Sequence, residues 1–143
     1  MDGHTIQNIL SHDAADIFQG VYAADKIPPL RPGSAIVVNT DKSSEPGTHW
    51  LALYQDRDVL EFFDSYGQSP DFYGFSFLNV KWNTIPFQSL TSNVCGAYCI
   101  YYILKRCQGY SMYSIIENLC NISDFIIYQF VKKTYGVRMI FKQ

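Results

Sequence analysis

With 143 residues, the chain is expected to form one domain over residues 1–143, burying roughly two-thirds of its unfolded surface. Apolar residues at 48% and aromatics at 16%, against 17% charged, exclude a disordered tail, and no apolar run approaches the ~20 residues of a membrane span. The net charge of −2 comes without a basic run interleaved with aromatics, which argues against nucleic-acid binding as the main function. Met1-Asp2-Gly3-His4 lacks the basic-then-apolar order of a signal peptide, so an intracellular setting is expected.

In chain order, Thr5 is placed to N-cap a short helix with Ile6, Ile9 and Leu10 on one face, and a weak helical turn follows around Asp13–Phe18. Phe18–Tyr22 reads as extended, and Ile27–Gly33, with three prolines, as a rigid connector. Ser34–Asn39 is a β-branched run suited to a buried strand, and Asp41–Gly47 a surface loop. Thr48–Tyr54 is a second strand, with His49, Leu51 and Leu53 on one face and Trp50, Ala52 and Tyr54 on the other. Val59–Asp64 is a third, joined to the second by a hairpin-length connection, so the two are expected to pair antiparallel. Asp71–Leu78 is aromatic-rich with short-helix character, and Val80–Phe87 reads as a further strand ending near Pro86.

A polar loop then leads to Val94-Cys95-Gly96 and the apolar run Ala97–Leu104, a buried helix stopped near Gly109. Ser111 is placed to cap a helix through Leu119, and Ser123 another that ends at Gly136, with Val137–Phe141 as a short terminal strand. Strands cluster in the middle and helices at the ends, with no βαβ alternation. The fold class is therefore α+β: a central, mostly antiparallel sheet packed on a central helix that carries Cys95.

Four cysteines, Cys95, Cys99, Cys107 and Cys120, show no Cys-x-x-Cys spacing and no neighbouring His. No metal, no cofactor and no disulfide framework is expected. Charge divides unevenly along the chain. Residues 1–93 hold five Lys/Arg against eleven Asp/Glu, and residues 94–143 hold six (Lys105, Arg106, Lys132, Lys133, Arg138, Lys142) against Glu117 and Asp124. Solvated helix faces explain this; a modest basic patch for an acidic partner is the sharper alternative.

Three ionisable residues are set to converge. Cys95 in the first turn of a helix faces unpaired N–H groups and the positive end of the dipole, which favour thiolate, the nucleophilic form. His49 and Asp64, fifteen residues apart on paired strands, suit an imidazole oriented by a carboxylate and free to exchange a proton with a thiol. The work is then that of a Cys-His-Asp hydrolase: thiolate attack, acyl-enzyme, water. The Cys95 backbone N–H and the Gln88 amide are candidate oxyanion donors, a role commonly worth ~3–4 kcal/mol. Each residue also has a plainer reading: a core histidine, a turn-forming Asp64, a small buried hydrophobe for Cys95, a loop-capping Gln88. Singly those readings prevail; in this order and on these elements they do not.

The ordered set His49-Trp50 in Gly-Thr-His-Trp, Asp64 in Phe-Phe-Asp-Ser-Tyr-Gly, Gln88, and Cys95-Gly96 resembles the adenovirus-type cysteine proteases and the related SUMO-specific proteases, a clan with a papain-like site in permuted order. The seven-residue step from Gln88 to Cys95 is similar to the adenoviral branch; the SUMO branch usually has six, and an Asp where Val94 stands. Phe18–Tyr22 and Ser34–Thr40 are also similar to that branch, and the likeness spans roughly residues 15–105. It implies Cys95 as nucleophile, His49 as general base and acid, Asp64 as orienting group, and Gln88 with the Cys95 amide as oxyanion hole. Trp50 and Gly96 would border the substrate, in a groove narrow enough to favour Gly before the scissile bond. Adenoviral enzymes usually have Glu at the Asp64 position and are longer and more basic, so their peptide and DNA activators do not carry over directly.

The expected function is a cysteine endopeptidase cleaving after Gly, a maturation protease of a virus or virus-like DNA transposon. The alternatives are a deconjugase of ubiquitin-like proteins and a catalytically silent protein-binding domain. Expected partners are a protein or polyprotein substrate, with an activating peptide and weak nucleic-acid contact through the basic C-terminal third as further candidates, and no membrane. The setting is host cytoplasm or nucleus, or a virion.

Overall fold

The computed structural model describes residues 1–45, 47–89 and 94–142, for 134–142 the backbone alone. Pro46 of the Asp41–Gly47 loop, and residues 90–93 of the loop expected before Cys95, lie outside the described residues. The elements are helix α1 (Gly3–Asp13), strands β1 (Phe18–Tyr22), β2 (Ala35–Asn39), β3 (Trp50–Asp56) and β4 (Val59–Phe63), a 3-10 turn (Pro70–Tyr73), β5 (Val80–Trp82), and helices α2 (Cys95–Cys107), α3 (Met112–Leu119) and α4 (Asp124–Lys142).

The strands form one sheet in the order β1-β2-β3-β4-β5. Its centre, β2/β3/β4, is antiparallel as expected, and the two outer pairings, β1/β2 and β4/β5, are parallel. The β3–β4 hairpin turns through Arg57, which takes the left-handed φ of 57°. Its register sets Ala52 against Phe63 and Asp56 against Val59. The alternation read in the sequence separates two cores. Leu51 and Leu53 join Ile36, Val38, Leu60 and Phe62 on one face, whereas Ala52, Val37 and Phe63 face the helices. Among the described residues no α-helix covers the first face. Ile27 and Leu30 of the proline connector and Tyr73, Phe75 and Phe77 of the aromatic stretch cover it instead.

On the other face α2 packs against β3 and against α1, α3 and α4. Residues Cys95 to Leu104 are all buried, the pattern of a helix enclosed on every side. The Tyr102 ring stacks on Phe63 at 4.5 Å. Because α2 lies across the sheet, its N-terminus reaches the edge where β3 begins and β4 ends.

Four local expectations need correction. Asp2, not Thr5, caps α1: its carboxylate accepts the Thr5 N–H at 2.8 Å. Asp71–Leu78 supplies only the 3-10 turn, and Val80–Phe87 only three strand residues, because Asn83 turns its side chain to another segment. The backbone at Val137–Phe141 is helical, continuing α4 through Gly136. A five-residue stretch with four apolar residues does not distinguish strand from helix, and a mid-helix Gly costs only about 1 kcal/mol.

One glycine fixes the site end of the sheet. Gly67 has φ 73°, and a Cβ there would lie 2.7 Å from the Pro86 nitrogen and 2.8 Å from the Ile85 carbonyl carbon. Gly74, with φ 86°, has open space around it. Gly74→Ala is therefore expected to lose about 1 kcal/mol from the left-handed backbone alone. Gly67→Ala should lose about 1–3 kcal/mol more, because backbone must move. Urea unfolding of both checks this; equal losses would deny the close approach.

Candidate active site

His49 sits one residue before β3, not within it, and Asp64 one residue after β4. Extending the hairpin register places His49 opposite Tyr66, two residues beyond Asp64 and on the same face. Such diagonal neighbours are ~7–8 Å apart at the backbone, a gap that an imidazole and a carboxylate close. His49 Nε2 lies 2.7 Å from Asp64 Oδ1. The ring nitrogen left for a thiol is Nδ1.

The Asp64 carboxylate is wholly enclosed. Oδ1 also accepts the Tyr66 N–H (3.1 Å), and Oδ2 accepts the Gln68 N–H (3.0 Å) and the Tyr73 hydroxyl (2.7 Å). The Tyr66 ring stacks on the imidazole at 4.6 Å, and the Tyr73 ring lies at 5.6 Å. His49 thus has two aromatic faces for neighbours, which suits a cationic ring.

Cys95 opens α2, and its thiol and the His49 imidazole meet at one cleft. Val94 stands at the N-cap with no side-chain hydrogen bond, so no capping oxygen competes for the first-turn N–H groups. Burial raises the Cys95 pKa, but the His49 hydrogen bond, the N–H groups of Trp50 and Gly96 and the imidazole charge bring it below the usual thiol value. For His49 burial again opposes charge; the Asp64 and Cys95 hydrogen bonds, with the charges of both, outweigh it and raise the pKa to about 9. The two directions agree: both favour a thiolate–imidazolium pair over the neutral thiol and imidazole. Cys99, one turn on, is driven the other way, well above the ordinary value, chiefly by burial.

Gln88 is 5% exposed. The Ser65 hydroxyl donates to its Oε1, and its backbone N–H and that of Phe87 both donate to Ser65 O, at 2.9 and 2.8 Å. With Oε1 held by Ser65, the amide orientation is set and its NH2 is the opposite end. Asn83, 2% exposed, clamps the same turn: Oδ1 accepts the Asp64 N–H (2.9 Å), and Nδ2 donates to Asp64 O (2.5 Å) and Ile85 O (3.1 Å).

A cleft of about 250 Å³ opens at the sulfur, lined by Met1, Gly47, Thr48, His49, Trp50, Tyr66 and Cys95. The Trp50 indole N–H donates to Met1 O at 3.1 Å, and Gly3 packs against the Trp50 ring. Gly96 is buried beside the cleft without lining it: a Cβ there would come 3.2 Å from Ile6 Cδ1 and 3.4 Å from Met1 Cβ, and its N–H reaches the Cys95 sulfur. Four of the named residues therefore gather at one sheet end, Trp50 walls the cleft, and Gly96 serves packing and the thiolate. Sequence reading did not single out Tyr66, Tyr73, Ser65 or Asn83. Tyr66 sits inside the quoted Asp-Ser-Tyr-Gly motif; Asn83 offered only the sign of a lone amide at a strand end. No group of three or more His, Cys, Asp or Glu side chains among the described residues could hold a metal ion.

No family model and no curated protein matches the chain. Among solved structures it is similar to the ASFV pS273R protease, with a TM-score of 0.60 and 21% identity, covering 91% of this chain and 65% of that one. The chain therefore shares the fold of that protease, an α+β arrangement of a five-stranded mixed sheet packed on helices. The chain spans 65% of the length of that protease.

The paired pKa shifts set a pH profile. The thiolate forms above the depressed Cys95 value and keeps its imidazolium partner until pH rises through about 9. Alkylation of Cys95 by iodoacetamide should therefore begin at lower pH than for an ordinary thiol, with a second step near 9, and at neutral pH should precede that of the exposed Cys120. Asp64→Asn removes a charge that supports the imidazolium and should move the second step to lower pH. A single rise near the ordinary thiol value of about 8.5 would show that no ion pair exists.

Proposed function

We propose that this chain is a cysteine endopeptidase acting on protein substrates. The observation that carries the reading is the buried Cys95–His49–Asp64 relay, with thiol and imidazole shifted in opposite directions, on a protease fold. The Cys95 thiolate adds to the scissile carbonyl carbon and its electron pair moves to oxygen. The Cys95 N–H and the Gln88 amide are assigned to that oxyanion. His49 Nδ1–H then protonates the leaving amine as the C–N bond breaks, leaving a thioester. Neutral His49 next takes a proton from water as the water attacks the thioester, and collapse releases the acid and restores the thiolate. Asp64 holds the ring so that Nδ1 serves both transfers.

The finer reading is cleavage after Gly, as the resemblance implies, with Trp50 and Tyr66 among the residues lining the cleft at the sulfur. The setting that fits is maturation of a viral or transposon polyprotein, inside a host cell or virion. A peptide activator and weak nucleic-acid contact belong to the same reading. Arg106 stands apart from that contact, since its guanidinium lies between Glu61, Asp56 and the Tyr54 ring.

Profiling a peptide library with the intact chain tests this directly. Cleavage enriched after Gly, with turnover lost by at least about a thousandfold in Cys95→Ala and retained in Cys99→Ala, is the expected result. No cleavage of any peptide by the wild type would refute the assignment. Reaction with a C-terminally activated ubiquitin-like probe, without peptide cleavage, would transfer it to a deconjugase.

A further inference from the structure

The segment that carries Gln88 is tied on its other side to a residue from the far end of the chain. Ser89 N–H donates to Asp124 Oδ2 at 2.9 Å. The Tyr98 hydroxyl donates to Asp124 Oδ1 at 2.7 Å and lies 3.2 Å from Phe87 O. The residues immediately before and after Gln88 thus meet one Tyr98–Asp124 pair. Tyr98 is fully buried and stands three residues after Cys95 on α2. Asp124 is the first residue of α4, thirty-five positions from Ser89.

An acidic residue in the first turn of a helix is ordinary, because it complements the dipole. Asp124 does more than that, since each of its oxygens is engaged by a group outside its own helix. One carboxylate joins the nucleophile helix, the Gln88 segment and the C-terminal helix. On the Ser65 side the amide oxygen of Gln88 is held; on the Asp124 side the backbone around it is held.

We propose that Asp124, acting with Tyr98, is a positioning residue that sets the Gln88 amide against the Cys95 sulfur and so tunes the oxyanion hole. The proposal rests on the reading of Gln88 as an oxyanion donor. The role is sensitive because a 1 Å misplacement of such a group can cost ~10²-fold in rate.

The test compares Asp124→Ala, Asp124→Asn, Tyr98→Phe, Gln88→Ala and the Asp124→Ala/Gln88→Ala double variant on one peptide taken from the cleavage profile. It follows kcat, KM and the pH profile of Cys95 alkylation, which reports thiolate formation without an oxyanion. Asp124→Ala should lower kcat by about tenfold or more with KM little changed and the alkylation profile intact, and the double variant should be no slower than Gln88→Ala. Asp124→Asn, which keeps one acceptor, should fall between. Tyr98→Phe keeps the ring and loses one oxygen; it should lower kcat in the same direction and carries the test where thermal melting shows Asp124→Ala unfolded. An unchanged kcat in folded Asp124→Ala or Tyr98→Phe, a matching loss in alkylation rate, or additive losses in the double variant would each overturn the positioning role while the peptidase reading stands. A Gln88→Ala variant as fast as wild type, or an inert wild type, would overturn the underlying assignment and this inference with it.

Discussion

A carboxylate shut off from water is tolerated only where protein donors replace the solvent, and Asp64 has four of them. Two are main-chain N–H groups of the turn that Asp64 itself begins. Closing that turn and satisfying the carboxylate are therefore one event. The other two come from His49 and Tyr73, so the imidazole orientation follows from the same event. The turn also carries Tyr66 over the ring, where an aromatic face favours the imidazolium that the thiolate needs.

The turn is held in place by topology. β4 and β5 are parallel, so both end at the same sheet edge, and the chain leaving β5 runs alongside the chain leaving β4. Asn83 and Ser65 join these two exits, and Gly67 lets them approach to backbone contact. β2 ends at this edge as well, where Asn39 Oδ1 accepts the Asp41 and Thr48 N–H groups and shapes the loop leading to His49. The orienting carboxylate, the imidazole and the Gln88 amide thus depend on one set of strand ends, and α2 brings the sulfur to it.

The residue types and their order were legible because the chemistry needs them and the hairpin between His49 and Asp64 is local. A short polar connection between two alternating runs leaves little choice of register once Leu51 and Leu53 must face a core. The choice of imidazole nitrogen was not legible, since it depends on His49 standing one residue outside the strand. Asn83 and Ser65 were equally hidden: their contacts, nineteen and twenty-three residues away, exist only because β5 pairs parallel to β4, and no local pattern announces a parallel crossover. Gln88 was found through its spacing from Cys95, whereas what holds it could be read only from the folded chain. The same limit explains Asp124, a helix-start acid like any other until its two partners are seen.

Glu61 shows why the functional carboxylate lies at a strand end. It is as buried as Asp64, on the same strand path three residues earlier. There the backbone N–H groups around it are committed to the sheet ladder, so its donors must be side chains. Tyr102 supplies one at 2.5 Å, while Arg106 Nε lies 3.2 Å away without hydrogen-bond alignment and Lys81 Nζ 3.9 Å away. Burial raises the Glu61 pKa in spite of them. Past the last ladder bond the chain can turn its freed N–H groups onto a side chain, and at Asp64 it does. A carboxylate that must stay an acceptor for an imidazolium is therefore better placed just beyond a strand than within it, and His49, just before its own strand, meets it there.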